Sequence, residues 1–381
     1  MSLKAKTLVT AICALLLASS AHAAVDISGF GQVVVGQAGG DAALFPDSLY
    51  DDNVDWKNES LFGVQINASL NDTVSAVGQI VASGADDFEA DFAWAYINFA
   101  FENGLGMKLG RQRLAFYRYS DYLDVGYAYP WIRPPSSVYT AGLRNVDGIS
   151  FNYAHSFGSW NSYAQFLYGG YEGDVKVGGV VQQQKTENLM SFVWELDYDS
   201  WAFLRLSYHL PRNSVRGVAL DTLVDALIAD GRPELASRLA TDGDTAKFFE
   251  IAGQVDLGNW FVNAEFTSRK RENAAHFSDK QDWYTSVGYR AGAFTPLLTY
   301  GHRSGDPQLE FLDEFAPNDP FYNRVRNAIL KDELDDSYIS AGLRWDFLSN
   351  TALKLDYTRF SSDISTRLDA HLISAGVVFS F

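Results

Sequence analysis

Apolar and polar residues alternate along almost the whole chain from Val25 onward, in segments of about ten residues, and that period of two is the signature of β-strands with two unlike faces. The segments are separated by connections of two kinds. Seven are short and carry good turn chemistry: Asn71-Asp72, Glu102-Asn103-Gly104, Gly158-Ser159, Asp199-Ser200, Gly258-Asn259, Ala291-Gly292 and Ser349-Asn350. Eight are longer and polar, near residues 38–56, 84–89, 113–145, 169–186, 211–245, 271–280, 304–335 and 361–369. Fifteen connections join sixteen strands. An even number of antiparallel strands, with short turns at one end and long loops at the other, is the asymmetry of a bacterial transmembrane β-barrel with periplasmic turns and extracellular loops. Within the loops, Val218 to Ala229, Pro233 to Ala240 and Phe321 to Leu330 read as short helices.

The faces can be assigned strand by strand. Ile339, Ala341, Leu343, Trp345 and Phe347 alternate with Ser340, Gly342, Arg344 and Asp346, and Leu353, Leu355 and Tyr357 alternate with Lys354, Asp356 and Thr358. A charge on the lipid face costs about 2–4 kcal/mol at the bilayer midplane, so the ionisable set must look into the barrel. Parity places Lys108, Glu195, Arg205, His209, Glu250, Glu265, Arg303, Arg344, Lys354 and Asp356 on that lumen wall. Opposed basic and acidic arcs there would order water and favour small polar solutes by close-range electrostatics. A soluble sandwich also alternates. Strands of this length, with Trp160, Trp201, Trp260 and Trp283 near their ends, suit a bilayer and its interfaces better.

The N-terminus changes the picture of where the chain works. Lys4 and Lys6 precede an apolar run from Leu8 to Leu17, and Ala21-His22-Ala23 then supplies small residues, the pattern of a cleaved leader spanning residues 1–23. Residues 24–381 would form one barrel domain, with no plug before it and no further domain after it. The single cysteine, Cys13, lies in the leader, so the exported chain would have neither disulfide nor thiolate chemistry. No later stretch has the roughly 20 apolar residues that a membrane helix needs. A mean hydropathy of −0.11 and 14% aromatic residues fit strands that are apolar on one side only. The net charge of −17, which loss of Lys4 and Lys6 takes to −19, makes nucleic acid an improbable partner. The acids cluster in loops, as at Asp51, Asp52 and Asp55, where solvation explains them better than a specific cation site.

Catalytic readings find little support. The exported histidines, His155, His209, His276, His302 and His371, belong to no nucleophile motif and no metal-binding spacing, so neither catalytic residues, metal nor cofactor is expected.

The ending Val377-Val378-Phe379-Ser380-Phe381, together with the strand count and the long third loop, resembles the outer-membrane porins of Gram-negative bacteria. The resemblance implies a homotrimeric, water-filled channel for passive diffusion of small hydrophilic solutes and ions. It also implies recognition of Phe381 by the barrel-assembly machinery, contact with outer-membrane lipid and lipopolysaccharide, and a third loop folded into the lumen. Physics gives the same loop an independent reason to turn inward, because its many tyrosines, Trp131 and Pro130, Pro134 and Pro135 would otherwise expose a large stiff apolar surface. Arg111, Arg113, Arg118, Asp121, Asp124, Arg133 and Arg144 are then the candidate constriction residues. Strict alternation from Lys108 turns Arg111 and Arg113 outward unless a bulge or the loop turn intervenes, and lipopolysaccharide phosphates are the alternative partners for them. The acidic Pro-Glu-Phe-Gly-Gly-Asp pattern of enterobacterial relatives is absent. Two other readings stay open: a substrate-specific channel of the same fold, for an organic or inorganic anion along the arginines or for a sugar along Tyr117, Tyr119, Tyr127 and Trp131, and an adhesin or structural barrel.

Overall fold

The computed structural model describes residues 24–41, 50–140, 142–177, 180–216, 218–364 and 368–381. The leader expected at residues 1–23 lies outside them. Sixteen antiparallel strands form one closed barrel, each bonded to its sequence neighbours, and β1 closes on β16. They are β1 (Ala24–Gly40), β2 (Leu61–Ser69), β3 (Val74–Ser83), β4 (Ala90–Ala100), β5 (Leu105–Arg113), β6 (Asn145–Phe157), β7 (Trp160–Val177), β8 (Val180–Tyr198), β9 (Ala202–Arg216), β10 (Asp244–Asp256), β11 (Trp260–Arg271), β12 (Asp279–Tyr289), β13 (Phe294–Asp306), β14 (Leu334–Leu348), β15 (Thr351–Ser362) and β16 (Leu368–Ser380). All seven short connections fall at the turns expected of them. The loops, numbered L1 to L8 in chain order, lie at the other end.

The pleat sorts the side chains as the alternation predicts. Leu355, Tyr357 and Ile373 face outward and are exposed, while Lys354, Asp356 and Ser374 between them are buried on the inner side. At the turn end the outward face carries linked rings, with Trp160 against Tyr198, Tyr198 against Trp201, Trp260 against Tyr289 and Phe294 against Trp345. Aromatic rings concentrate at membrane interfaces because one end is apolar and the other can meet water. Barrel closure ends on Phe381, whose amide and carbonyl bond both ways to Gly29 at 2.9 and 2.8 Å. The Cζ end of its ring sits at Gly29, in space that any Cβ there would occupy.

One expected loop is mostly strand. Residues 169–186 continue β7 and β8 as a hairpin paired from Tyr171↔Thr186 to Val177↔Val180. Gln182, Gln183, Gln184 and Lys185 read as loop because no position is apolar. In the hairpin, Gln183 and Lys185 are exposed while Gln182, Gln184 and Thr186 on the other face are half-buried or buried and still polar, with Thr186 bonded to Asn213, so pairing survives without an apolar face.

L5 and L7 carry helices where the sequence suggests them: α1 (Val218–Ala229), α2 (Pro233–Leu239) and α3 (Tyr322–Leu330). Their apolar sides share a core of Leu223, Leu227, Leu239, Phe311, Val325 and Ile329. This makes a lid of its own, stitched by Arg232 to Asp319 and by Arg238 to Glu314. His276 in L6 pins it, with Nδ1 2.7 Å from the Leu239 carbonyl oxygen and Nε2 3.3 Å from Thr241 Oγ1.

Two outcomes are expected. Leu355→Arg, facing lipid, should destabilise the barrel by about 2–4 kcal/mol, read as a lower midpoint in denaturant unfolding from lipid. Burial pushes the His276 imidazole down to about 4, against the pull of the Leu239 carbonyl. The folded group therefore stays neutral while the released one takes a proton below its ordinary value. Docking of the lid should be unaffected above pH 6.5 and weaken by roughly 1.4 kcal/mol per unit on the way down to about 4. Hydrogen exchange of residues 218–240 should accelerate over that window and lose the dependence in His276→Gln.

Candidate functional site: the third loop and the wall it packs on

L3 runs between β5 and β6 with two short 3-10 turns, Ser120–Tyr122 and Gly126–Ala128, and a few further turn bonds such as Val138 N–H to the Pro135 oxygen, which satisfy part of its own backbone. It lies inside the barrel. Leu114, Phe116, Tyr117, Tyr119, Tyr129, Trp131, Val138 and Leu143 pack on wall residues Leu167, Leu189, Phe248, Tyr284 and Leu297. An irregular segment buried this way leaves carbonyls and amides without partners, and each such group costs about 1–3 kcal/mol.

The wall supplies the partners, mostly from its charged residues. Lys354, buried on β15, donates to the carbonyl oxygens of Gly126, Tyr129 and Trp131, the second at 2.6 Å. An ammonium has three protons, and here each meets a carbonyl. Arg344 donates to Tyr127 and Tyr129 oxygens at 2.8 and 3.1 Å and closes on Asp346 at 2.7 Å. Arg205 reaches the oxygens of Ala115 and Phe116 and is neutralised by Glu250 and Glu195. Asp356 accepts from the Ile132 amide at 2.9 Å. Glu265 accepts from the Arg118 amide and from the hydroxyls of Tyr139 and Tyr284. His209 packs edge-on against Phe116, and Arg303 is closed on Asp336. Where parity suggested opposed arcs bare to water, most of these charges are instead paired and covered by L3. A carbonyl-rich loop in an apolar setting needs donors more than the solution does.

The loop's own residues divide. Arg133 binds Glu59 of L1 and, at 3.0 Å, Ser374 Oγ; burial works against its charge, but the Glu59 carboxylate outweighs burial and raises its titration. Arg113 turns into the loop to hold Asp124; the two guanidinium groups of Arg113 and, at 3.9 Å, Arg144 outweigh the burial of that carboxyl and hold it below its ordinary range. Arg144 itself is exposed. Arg111 stays on the same face as Leu109 and forms a two-pronged pair with Asp147 at 2.9 and 3.1 Å, so it contributes to the wall and not to the loop. Tyr117, Tyr119 and Trp131, weighed above as a slide for sugars, are the buried core of the loop, and Trp131 Nε1 donates to Thr299 Oγ1 at 3.0 Å. Tyr127 reaches the Ser349 carbonyl.

Asp121 is exposed at the free edge of L3. It lies close enough to Tyr96, Tyr163 and Glu195 to interact electrostatically across the lumen. Lys108 sits over the Tyr96 ring at 5.3 Å, with Gln65, Gln79 and Gln165 further along the same wall. These tyrosines and glutamines, and Glu59, were not singled out in the sequence. Parity within β2–β4 and β7 was the signal available for the wall residues.

Lys354→Met keeps the volume and removes the donor. It should strand three carbonyls and loosen L3 while the barrel still assembles, giving larger and noisier single-channel currents and faster proteolysis within residues 114–144. Unchanged current would mean that the packing alone holds the loop.

The family model described as Gram-negative porin matches residues 9–366. No curated protein sequence matches the chain. Among solved structures, OmpF of Salmonella typhi aligns with a TM-score of 0.59 at 13% identity, covering 94% of this chain and 97% of that one. An anion-selective porin from Comamonas acidovorans gives 0.57 at 13%, covering 94% and 100%. OmpT of Vibrio cholerae, in a trimer form, gives 0.54 at 11%, covering 94% and 100%. At such identities the structures share the fold alone. The family match over most of the sequence, carried by a closed sixteen-stranded wall, makes this chain a member of the Gram-negative porins, the diffusion channels of the outer membrane.

Proposed function

We propose that small hydrophilic solutes cross through the part of the lumen that L3 leaves open, between its Asp121–Tyr122 edge and the wall of β4 to β8. One observation carries this reading: the wall charges from β9 to β15 are bonded to L3 or to each other, whereas Lys108 and Asp121 lack an ion pair among the described residues. The filled half is scaffold and the other half is path. Burial pushes the Tyr122 phenol up, with Arg118 opposing, so at neutral pH the edge offers one carboxylate and neutral rings.

The arginines do not form a bare anion ladder, since Arg111, Arg113, Arg133, Arg205, Arg303 and Arg344 each face a carboxylate. Acidic loops raise cation concentration at the mouth. A general channel with a mild cation preference at low salt follows. The trimer form recorded for OmpT supports a homotrimer here. Lipid and lipopolysaccharide at the aromatic belt, and assembly machinery at Phe381, complete the proposed partners.

Planar-bilayer recordings of the refolded protein test the path. Asp121→Lys should shift the reversal potential under a salt gradient toward the anion, and Lys108→Glu toward the cation, with each leaving the channel conducting. Reversal potentials unmoved by both would place the path elsewhere, and absence of any conductance would end the channel reading.

A further inference from the structure

Beneath L3, toward the turn end, a cavity of about 390 Å³ opens between the loop and the ends of β10 to β14. Tyr122, next to Asp121 at the edge of L3, belongs to its lining, so the cavity adjoins the open path. Its apolar walls are rings, Tyr119, Tyr122 and Tyr129 from L3 and Phe261 from β11, with Pro130 beside them.

Three guanidinium groups line it, and they are not equivalent. Arg344 is closed on Asp346 and on two carbonyls. Arg290 is closed on Asp256 at 2.8 and 2.7 Å. Arg118 donates only to neutral amide oxygens, to Asn263 Oδ1 at 3.1 Å and to Gln254 Oε1. Its Cζ lies 4.6 Å from the centroid of the Phe203 ring and 5.0 Å from that of Tyr119. The Glu265 carboxylate meets the Arg118 backbone amide and is occupied by two tyrosine hydroxyls, and Glu195, within electrostatic range of the guanidinium, is closed on Arg205. Among the described residues that line this cavity, Arg118 is thus the cation whose guanidinium has no carboxylate. Two of its five N–H groups are spent on amides that hold it rigid, so little further ordering is needed when an anion arrives.

A fixed guanidinium with unused donors selects a planar carboxylate, and rings around it select a flat apolar body. We propose that this cavity is a periplasm-side subsite for a small aromatic carboxylate, which passes on from the open path and pauses with its carboxylate on Arg118 and its ring among Tyr119, Tyr122 and Phe261. The proposal rests on the diffusion-channel reading above.

Benzoate, its neutral counterpart benzamide, acetate and inorganic phosphate, added in turn to each side of a single channel, provide the test. Benzoate from the turn side should interrupt the current, with benzamide weaker by about tenfold or more, as loss of a charge-assisted hydrogen bond implies. Arg118→Gln should erase that difference, and Arg238→Gln on the lid should leave it intact. Tyr122→Ala keeps the charge and should weaken benzoate while sparing acetate, so the proposal remains testable if Arg118→Gln disturbs the loop. Equal block by benzoate and benzamide, or a benzoate preference that survives Arg118→Gln, would overturn it. Phosphate binding as well as benzoate would reduce the cavity to a bare anion site and overturn the aromatic assignment. A normal current untouched by benzoate would sink this inference alone, whereas no current would sink the channel reading as well.

Discussion

A backbone with no regular hydrogen bonding cannot be buried unless something else satisfies it, and the interior of this barrel is organised around that requirement. L3 brings its carbonyls into the lumen, and Lys354, Arg344 and Arg205 are placed to meet them. The charges that hold the loop are in turn balanced by Asp346, Glu250 and Glu195. Arg344 and Arg205 therefore have two tasks, donating to the loop and remaining neutralised in a confined space, while Lys354 spends its three protons on the loop alone. The outcome is a lumen in which L3 and the wall of β9 to β15 form one bonded block.

Much of the fold was legible because barrel turns are chemically local. Asn71-Asp72 or Ala291-Gly292 announces a reversal within two or three residues, and the alternation on each side sets which face meets lipid. The helices of L5 and L7 were equally local. The β7–β8 extension was missed because the usual sign of a strand is an apolar face set against a polar one, and here the more buried Gln184 and Thr186 are as polar as the exposed Gln183 and Lys185.

The candidate site was readable only in part. Parity put Lys354, Asp356 and Arg205 on the inner wall, but their partners lie far away in sequence: Lys354 is 223 to 228 residues from the three carbonyls it serves. No short window holds that information. For the same reason the arginines of L3 read as a group, while the structure separates Arg133 on Glu59, Arg113 on Asp124, Arg118 on amides and Arg111 on the wall beside Asp147. What distinguishes them is the identity of a distant acceptor.

The seam between β1 and β16 has a consequence for how the molecule comes into being. Phe30 pairs with Ser380, and Gly29 exchanges two hydrogen bonds with Phe381, so the opening strand of the barrel finds its partner in the closing one. Fourteen other strands must be arranged before that contact can form. A ring of this kind has no partial product with satisfied ends: every incomplete sheet presents two raw edges, which in water invite pairing with other chains. Completion is therefore a single late event of the greatest possible sequence separation, the slowest kind of contact to find unaided. Once the β1–β16 seam is made, the sheet has no edge left to offer.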